Sequence, residues 1–119
     1  MSPPKTVDKP WGHELIWAVT DRYVGKILHI RAGESLSLQY HREKDETIYL
    51  SNGEMVLELA EADQPLTRRT LRCGDSVHIH PGLRHRMIAV TDCDVFEVST
   101  PELEDVVRLE DRYGRVVPR

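Results

Sequence analysis

Short runs of Ile, Val, Leu, Tyr and Trp recur along this chain, many alternating with polar residues at a period of two, and glycine-centred breaks separate them. That period puts successive side chains on opposite faces of a strand, so one face can be buried while the other stays wet. The pattern predicts strands over Glu14–Val19, Tyr23–Arg31, Ser35–Tyr40, Thr47–Leu50, Met55–Leu59, Thr67–Leu71, Ser76–His80, Arg84–Val90 and Val95–Val98. The clearest breaks are Ala32-Gly33, Ser51-Asn52-Gly53, Cys73-Gly74-Asp75 and Pro81-Gly82, and Asn52-Gly53 is the strongest hairpin signal. Many short strands without an intervening helical pattern predict an all-β, antiparallel barrel or sandwich. Three prolines in residues 1–10 predict an irregular N-terminal arm, leaving 11–119 as a single domain. One short C-terminal helix or turn is expected, capped by Ser99 or Thr100, with Pro101 in its first turn and Leu103, Val106 and Val107 on its apolar side.

Composition narrows the function. A chain of 119 residues forms one domain, and 39% hydrophobic with 30% charged residues is the balance of a globular protein. A net charge of −4 with scattered Lys and Arg argues against nucleic acid, which demands a basic stripe. No apolar run approaches the roughly 20 residues of a membrane helix. The start, Met1-Ser2-Pro3-Pro4-Lys5, is not followed by the hydrophobic core of a secretory leader. Cys73 and Cys93, far apart and outside any CxxC, read as reduced structural thiols. Together these predict a cytoplasmic protein with neither membrane nor nucleic-acid partners.

The chemistry is concentrated in a few positions. Gln39 and His41 are two apart and share a strand face with Ser35 and Ser37, while Leu36, Leu38 and Tyr40 share the other. Such a polar face fits an interior only if something wet or ionic fills it. Glu46 follows after the charged turn Arg42-Glu43-Lys44-Asp45. His85 lies in a distant block, on one face with Met87 and Ala89. Two imidazoles, a carboxylate and an amide oxygen form a mixed nitrogen and oxygen donor set for a divalent metal, so Gln39, His41, Glu46 and His85 are the expected ligands.

The spacing Gly33, five residues, Gln39-x-His41, four residues, Glu46, six residues, Gly53 resembles the first cupin motif, with Gln39 in place of its first histidine. Gly74 followed by Gly82 and His85 resembles the second, although His80 and Ala89 stand where proline and asparagine are usual. More narrowly, Lys9-Pro10-Trp11-Gly12, Gly33 through His41, Gly74-Asp75-Ser76 with His85-Arg86, and the tail from Asp105 through Arg115 resemble the C-terminal cupin domain of type II phosphomannose isomerases. That domain is fused, in the family, to mannose-1-phosphate guanylyltransferase, and this chain reads as a stand-alone version of it. The resemblance implies a jelly-roll barrel, a divalent metal in its mouth, and interconversion of mannose 6-phosphate with fructose 6-phosphate. It points to zinc first, with manganese, iron, nickel or cobalt as alternatives.

An aldose–ketose isomerase also needs a base to carry a proton between C1 and C2. His78 and His80, which share a strand face, are the first candidates, followed by Tyr40 and Lys26. A sugar or its phosphate would be held by Arg42, Arg84, Arg86, Lys26 and Tyr40, cations and a phenol that flank the expected ligands. Two other readings compete: an iron-dependent cupin dioxygenase and a non-catalytic sugar-binding cupin. The outward row Leu36, Leu38 and Tyr40, together with open sheet edges, predicts a homodimer.

Overall fold

The computed structural model describes residues 3–116 as eleven strands in two antiparallel sheets. The strands are β1 (Lys5–Lys9), β2 (Gly12–Val19), β3 (Val24–Ile30), β4 (Leu38–Tyr40), β5 (Glu46–Asn52), β6 (Glu54–Ala60), β7 (Thr67–Arg72), β8 (Ser76–Ile79), β9 (Arg84–Ala89), β10 (Cys93–Ser99) and β11 (Val107–Glu110). One sheet runs β1-β2-β3-β10-β5-β8 and the other β11-β4-β9-β6-β7, the two layers of a jelly roll.

The space between the sheets is graded along its length. At one end Ile30, Leu50, Met55, Leu57, Met87, Ala89, Cys93 and Val95 make a dry core. Toward the other end the same inward positions turn polar. β3 passes from Ile30 and Leu28 to Lys26, β10 from Val95 to Glu97 and Ser99, β5 from Leu50 and Ile48 to Glu46, and β9 from Met87 to His85. The register aligns these changes: Glu97 pairs with Lys26, Ser99 with Glu46, and Leu59 with His85. Every one of these charged or polar residues is buried. The wet end is therefore built by a coordinated break in alternation on four strands.

The structure revises three expectations and narrows a fourth, the C-terminal helix or turn. The arm expected over residues 1–10 contains β1, which pairs with β2 from Lys5 opposite Ile16 to Lys9 opposite Gly12. With one apolar residue, Val7, its alternation was too weak to read, and ladder hydrogen bonds decide its conformation. Of the helix or turn expected near the C-terminus, turns form, and they lead into β11, which pairs with β4. Thr100, expected as a helix cap, instead accepts the Asp45 N–H on its hydroxyl at 3.0 Å.

Asn52-Gly53 does not close a two-stranded hairpin, because β5 and β6 lie in different sheets. Gly53, at φ 98°, carries the chain between layers where a Cβ would stand 2.3 Å from the Asp92 carbonyl. Finally, Leu36 belongs to the core, while Ser35 bridges Ile88 and lines an outer groove. The ladder is interrupted before β4, which shifts the face parity by one and removes Leu36 from the outward row.

Candidate metal centre

His41 follows β4 directly, Glu46 opens β5, and His85 lies in β9. Four residues separate the first two, and that loop is tied down by Asp105. The Asp105 carboxylate accepts the backbone N–H groups of Arg42 at 3.1 Å, Glu43 at 2.7 Å and Lys44 at 2.9 Å. Across the site, Gly82, at φ 84°, donates its N–H to the His41 carbonyl at 2.7 Å, locking the Pro81-Gly82 turn against the ligand loop.

His41, Glu46 and His85 converge, each offering a donor atom within 4.8 Å of the others, and all three are buried. His41 Nε2 lies 3.6 Å and His85 Nε2 3.5 Å from Glu46 Oε1. Two ligands about 2.1 Å from one ion at a tetrahedral angle stand about 3.4 Å apart, so the spacing suits a shared cation and is too long for hydrogen bonds.

The other ring nitrogens set the tautomers. His41 Nδ1 donates to the Asp105 carbonyl at 2.5 Å and His85 Nδ1 to the Leu83 carbonyl at 2.9 Å. Both Nε2 atoms then present lone pairs inward. His41 Nε2 and His85 Nε2 are buried without a hydrogen-bond partner, while Glu46 turns Oε2 to the Lys44 ammonium at 3.2 Å and Oε1 to the two imidazoles. Two orphaned imidazole nitrogens facing one carboxylate oxygen are costly unless something binds them, and a divalent ion satisfies both donor types.

Electrostatics prepare the same state. Burial pushes the His85 imidazole down despite Glu46 nearby, keeping it neutral. Burial pushes the Glu46 carboxyl up, but His41, the Lys44 ammonium and His85 outweigh it and hold the group at about 2. Lys44, 3.2 Å from both Glu46 and Glu97, is lowered by burial and raised further by those carboxylates, so it stays charged.

Gln39 lies beside this triad. It pairs with His85 in the register, lines the same cavity as His41, and accepts the Ser37 hydroxyl at 2.6 Å, which leaves a second lone pair on Oε1.

His41 also lines a cavity of about 240 Å³ whose polar lining includes Glu14, Lys26, Gln39, Lys44, Glu97, Arg108 and Arg115. Lys26 lies 3.4 Å from Glu14 and opposite Glu97. Burial and the charge of Glu46 push the Glu97 carboxyl up, Lys44 and Lys26 oppose them, and it settles at about 7.

Of the residues expected to serve as base or to hold the sugar (His78, His80, Tyr40, Lys26, Arg42, Arg84 and Arg86), only Lys26 lines this cavity. His78 is exposed and bound to Asp45 at 2.6 Å, and His80 bonds Glu61 at 2.8 Å. Arg86 pairs with Glu58 and Glu110 in an outer groove, and Arg84 donates to the Glu61 and Gln64 carbonyls. Tyr40 and Arg84 line a second outer depression, and Arg42 is exposed. The parity that sends His85 inward sends Arg84 and Arg86 outward.

Sequence reasoning passed over Glu14, Glu97 and Arg108. A charged residue in the apolar register of an otherwise alternating strand was the available signal for Glu97, as for Lys26. Arg108 was hidden by reading its segment as helix or turn.

A jelly roll with a His, Glu, His cluster between its sheets defines a metal-site β-barrel of the cupin kind. The chain belongs to the cupin family: residues 26–99 match the family model described as "Cupin domain". It is 32% identical over 117 residues to mannose-1-phosphate guanylyltransferase of Escherichia coli, covering 94% of this chain and 23% of that protein. The ManC protein of Salmonella typhimurium, also named mannose-1-phosphate guanylyltransferase, is 31% identical over the same length. The chain thus spans about a quarter of the length of these relatives, 23% in each case.

Solved structures with the same fold include the capsular polysaccharide assembling protein CapF of Staphylococcus aureus, at 18% identity and TM-score 0.75 over 92% of this chain and 33% of that one. KdgF from Halomonas sp. matches at 22% identity and TM-score 0.71, over 85% and 89%.

Proposed function

We propose that this cupin holds a divalent cation on His41, Glu46 and His85, with Gln39 beside them, and isomerises a sugar or sugar phosphate between aldose and ketose forms. The observation that carries this is the convergence of His41, Glu46 and His85, with two orphaned imidazole nitrogens facing one carboxylate, beside a charged cavity that His41 lines. The likeness to the phosphomannose isomerase cupin domain supports the reaction class, with mannose 6-phosphate as the first substrate to test. Bound there, the ion would supply a Lewis acid for a carbonyl and an adjacent hydroxyl. Zinc is the first choice for this donor set, ahead of manganese, iron, nickel and cobalt.

The chain's own residues do the remainder. Glu97 takes the proton-moving role that the exposed His78 and His80 are placed away from. It is buried in the cavity wall, and a carboxyl near pKa 7 can both accept and return a proton at neutral pH. Lys44 links Glu97 to Glu46 and holds both in place. A homodimer belongs to the same proposal, supported by Trp17, Tyr49, Phe96 and Val98 exposed on the outer face of the six-stranded sheet.

The test is a coupled assay on mannose 6-phosphate, fructose 6-phosphate and the free sugars, with each metal restored to apo-protein. Two histidines and one carboxylate are also the donor types of an iron oxygenase triad. Oxygen consumption with ferrous iron and no isomerisation would favour that second reading. Sugar binding without turnover would leave a binding module.

A further inference from the structure

Five cations line the cavity: Lys9, Lys26, Lys44, Arg108 and Arg115. Three are matched. Lys26 faces Glu14 at 3.4 Å, Lys44 bridges Glu46 and Glu97, and Arg115 forks onto Asp111 at 2.8 and 3.1 Å. Among the described residues, Lys9 and Arg108 have no carboxylate partner. Arg108 is the stranger of the two, because its Nε is buried without any hydrogen-bond partner. Burial and the Arg115 charge push its guanidinium down, the Asp111 charge opposes them without contacting it, and the guanidinium stays protonated. Asp111 is taken up by Arg115, so the half-buried Arg108 beside it keeps an orphaned donor that is unfavourable until a further anion reaches it.

Its place in the sheet is equally specific. Gln39 pairs with His85 on one side and with Arg108 on the other, so His85, Gln39 and Arg108 form one row across β9, β4 and β11. Two strand spacings separate the ends, about 10 Å. A six-carbon chain ending in a phosphate ester spans such an interval.

We infer that Arg108, flanked by Lys9 and Arg115, is the seat for a phosphate ester whose sugar reaches the metal triad. This rests on the triad being the reaction centre. Two unmatched cations fit the near-dianionic charge of a phosphate monoester better than the single charge of a carboxylate. In a chain of net charge −4, such a local excess of positive charge is not a by-product of composition. Guanidinium also offers paired donors to adjacent phosphate oxygens.

The experiment titrates inorganic phosphate, then mannose 6-phosphate and mannose, into zinc-loaded and zinc-free protein by calorimetry. Zinc content is measured separately by elemental analysis. Arg108→Gln should weaken phosphate binding tenfold or more without altering bound zinc, and Arg108→Lys should restore part of it. Lys9→Gln, on another strand, should weaken it by a smaller factor, and serves if Arg108 variants fold poorly. Arg42→Gln, on the exposed loop, should leave it unchanged.

Phosphate affinity in Arg108→Gln and Lys9→Gln equal to the parent overturns the inference. So does phosphate binding that requires zinc, which would place the anion on the metal. Phosphate binding that depends on Arg108 in a protein that isomerises nothing keeps the seat and discards the isomerase. Mannose bound as tightly as mannose 6-phosphate discards the seat.

Discussion

The Nδ1 of His41 donates to the carbonyl of Asp105 at 2.5 Å, and the carboxylate of the same Asp105 gathers the three N–H groups that follow His41. One residue next to β11 thereby sets the tautomer of a ligand and the path of the loop leading to the next ligand.

Asp105→Ala keeps the carbonyl but loses the carboxylate contacts. It should weaken zinc binding by about 10–100-fold, the usual cost of removing support behind a ligand. Stability should fall by about 1 kcal/mol, as for a lost cap. Competition with a chromophoric chelator and a urea titration measure the two effects. Unchanged zinc affinity would show that the loop holds itself.

The Glu97 carboxyl gives a pH signature in metal-free protein. It ionises near about 4.3 when unfolded and at about 7 when folded. Between these values the folded state retains a proton that the unfolded state has lost. Its contribution to stability is therefore full at low pH, declines as pH rises through that window, and is flat above it. His85, whose pKa is lowered, acts in the opposite sense, with stability lost as pH falls. Subtracting the curves of parent and Glu97→Gln isolates Glu97. Urea midpoints should favour the variant progressively from about pH 4.5 to about 7 and by a constant margin above that, and parallel curves throughout would refute the assignment.

The fold was largely legible because strand alternation is a local signal, and so was the triad, whose spacing survives into the structure. His41, Glu46 and His85 each sit on an inward parity countable along the chain. What could not be read was pairing. Nothing local says that β5 and β6 belong to different sheets, that Lys5–Lys9 gains its structure from β2, or that Val107–Glu110 completes the edge of β4. The rest of the cavity followed from those pairings. Arg108 becomes a site residue only once β11 lies beside Gln39, and His78 becomes remote only once β8 lies at a sheet edge.

Gly53→Ala should separate fold from site. Its φ of 98° and the 2.3 Å approach of the Asp92 carbonyl leave no room for a methyl group. Strain of that kind costs about 1–3 kcal/mol, enough to lower the urea midpoint visibly. The turn joins the dry ends of the sheets, so zinc stoichiometry in the folded protein should remain that of the parent. A variant that loses zinc while still folded would mean that the two ends are coupled.

His85→Leu tests whether the polar end exists for binding or for stability. His85 is 1% exposed, and its Nε2 lacks a partner. If its imidazole served stability through the Nδ1–H bond to the Leu83 carbonyl and its shape, replacement would unpair that buried carbonyl and misfit the core, at a cost of several kcal/mol. If it is held ready for a cation, the metal-free protein carries an unmet polar group worth about 1–3 kcal/mol, and an apolar side chain of similar size relieves it. The expected outcome is a metal-free variant at least as stable as the parent. Zinc should raise the parent's melting temperature by mass action, and that rise should vanish in the variant. A metal-free variant that unfolds far below the parent would assign His85 to the core.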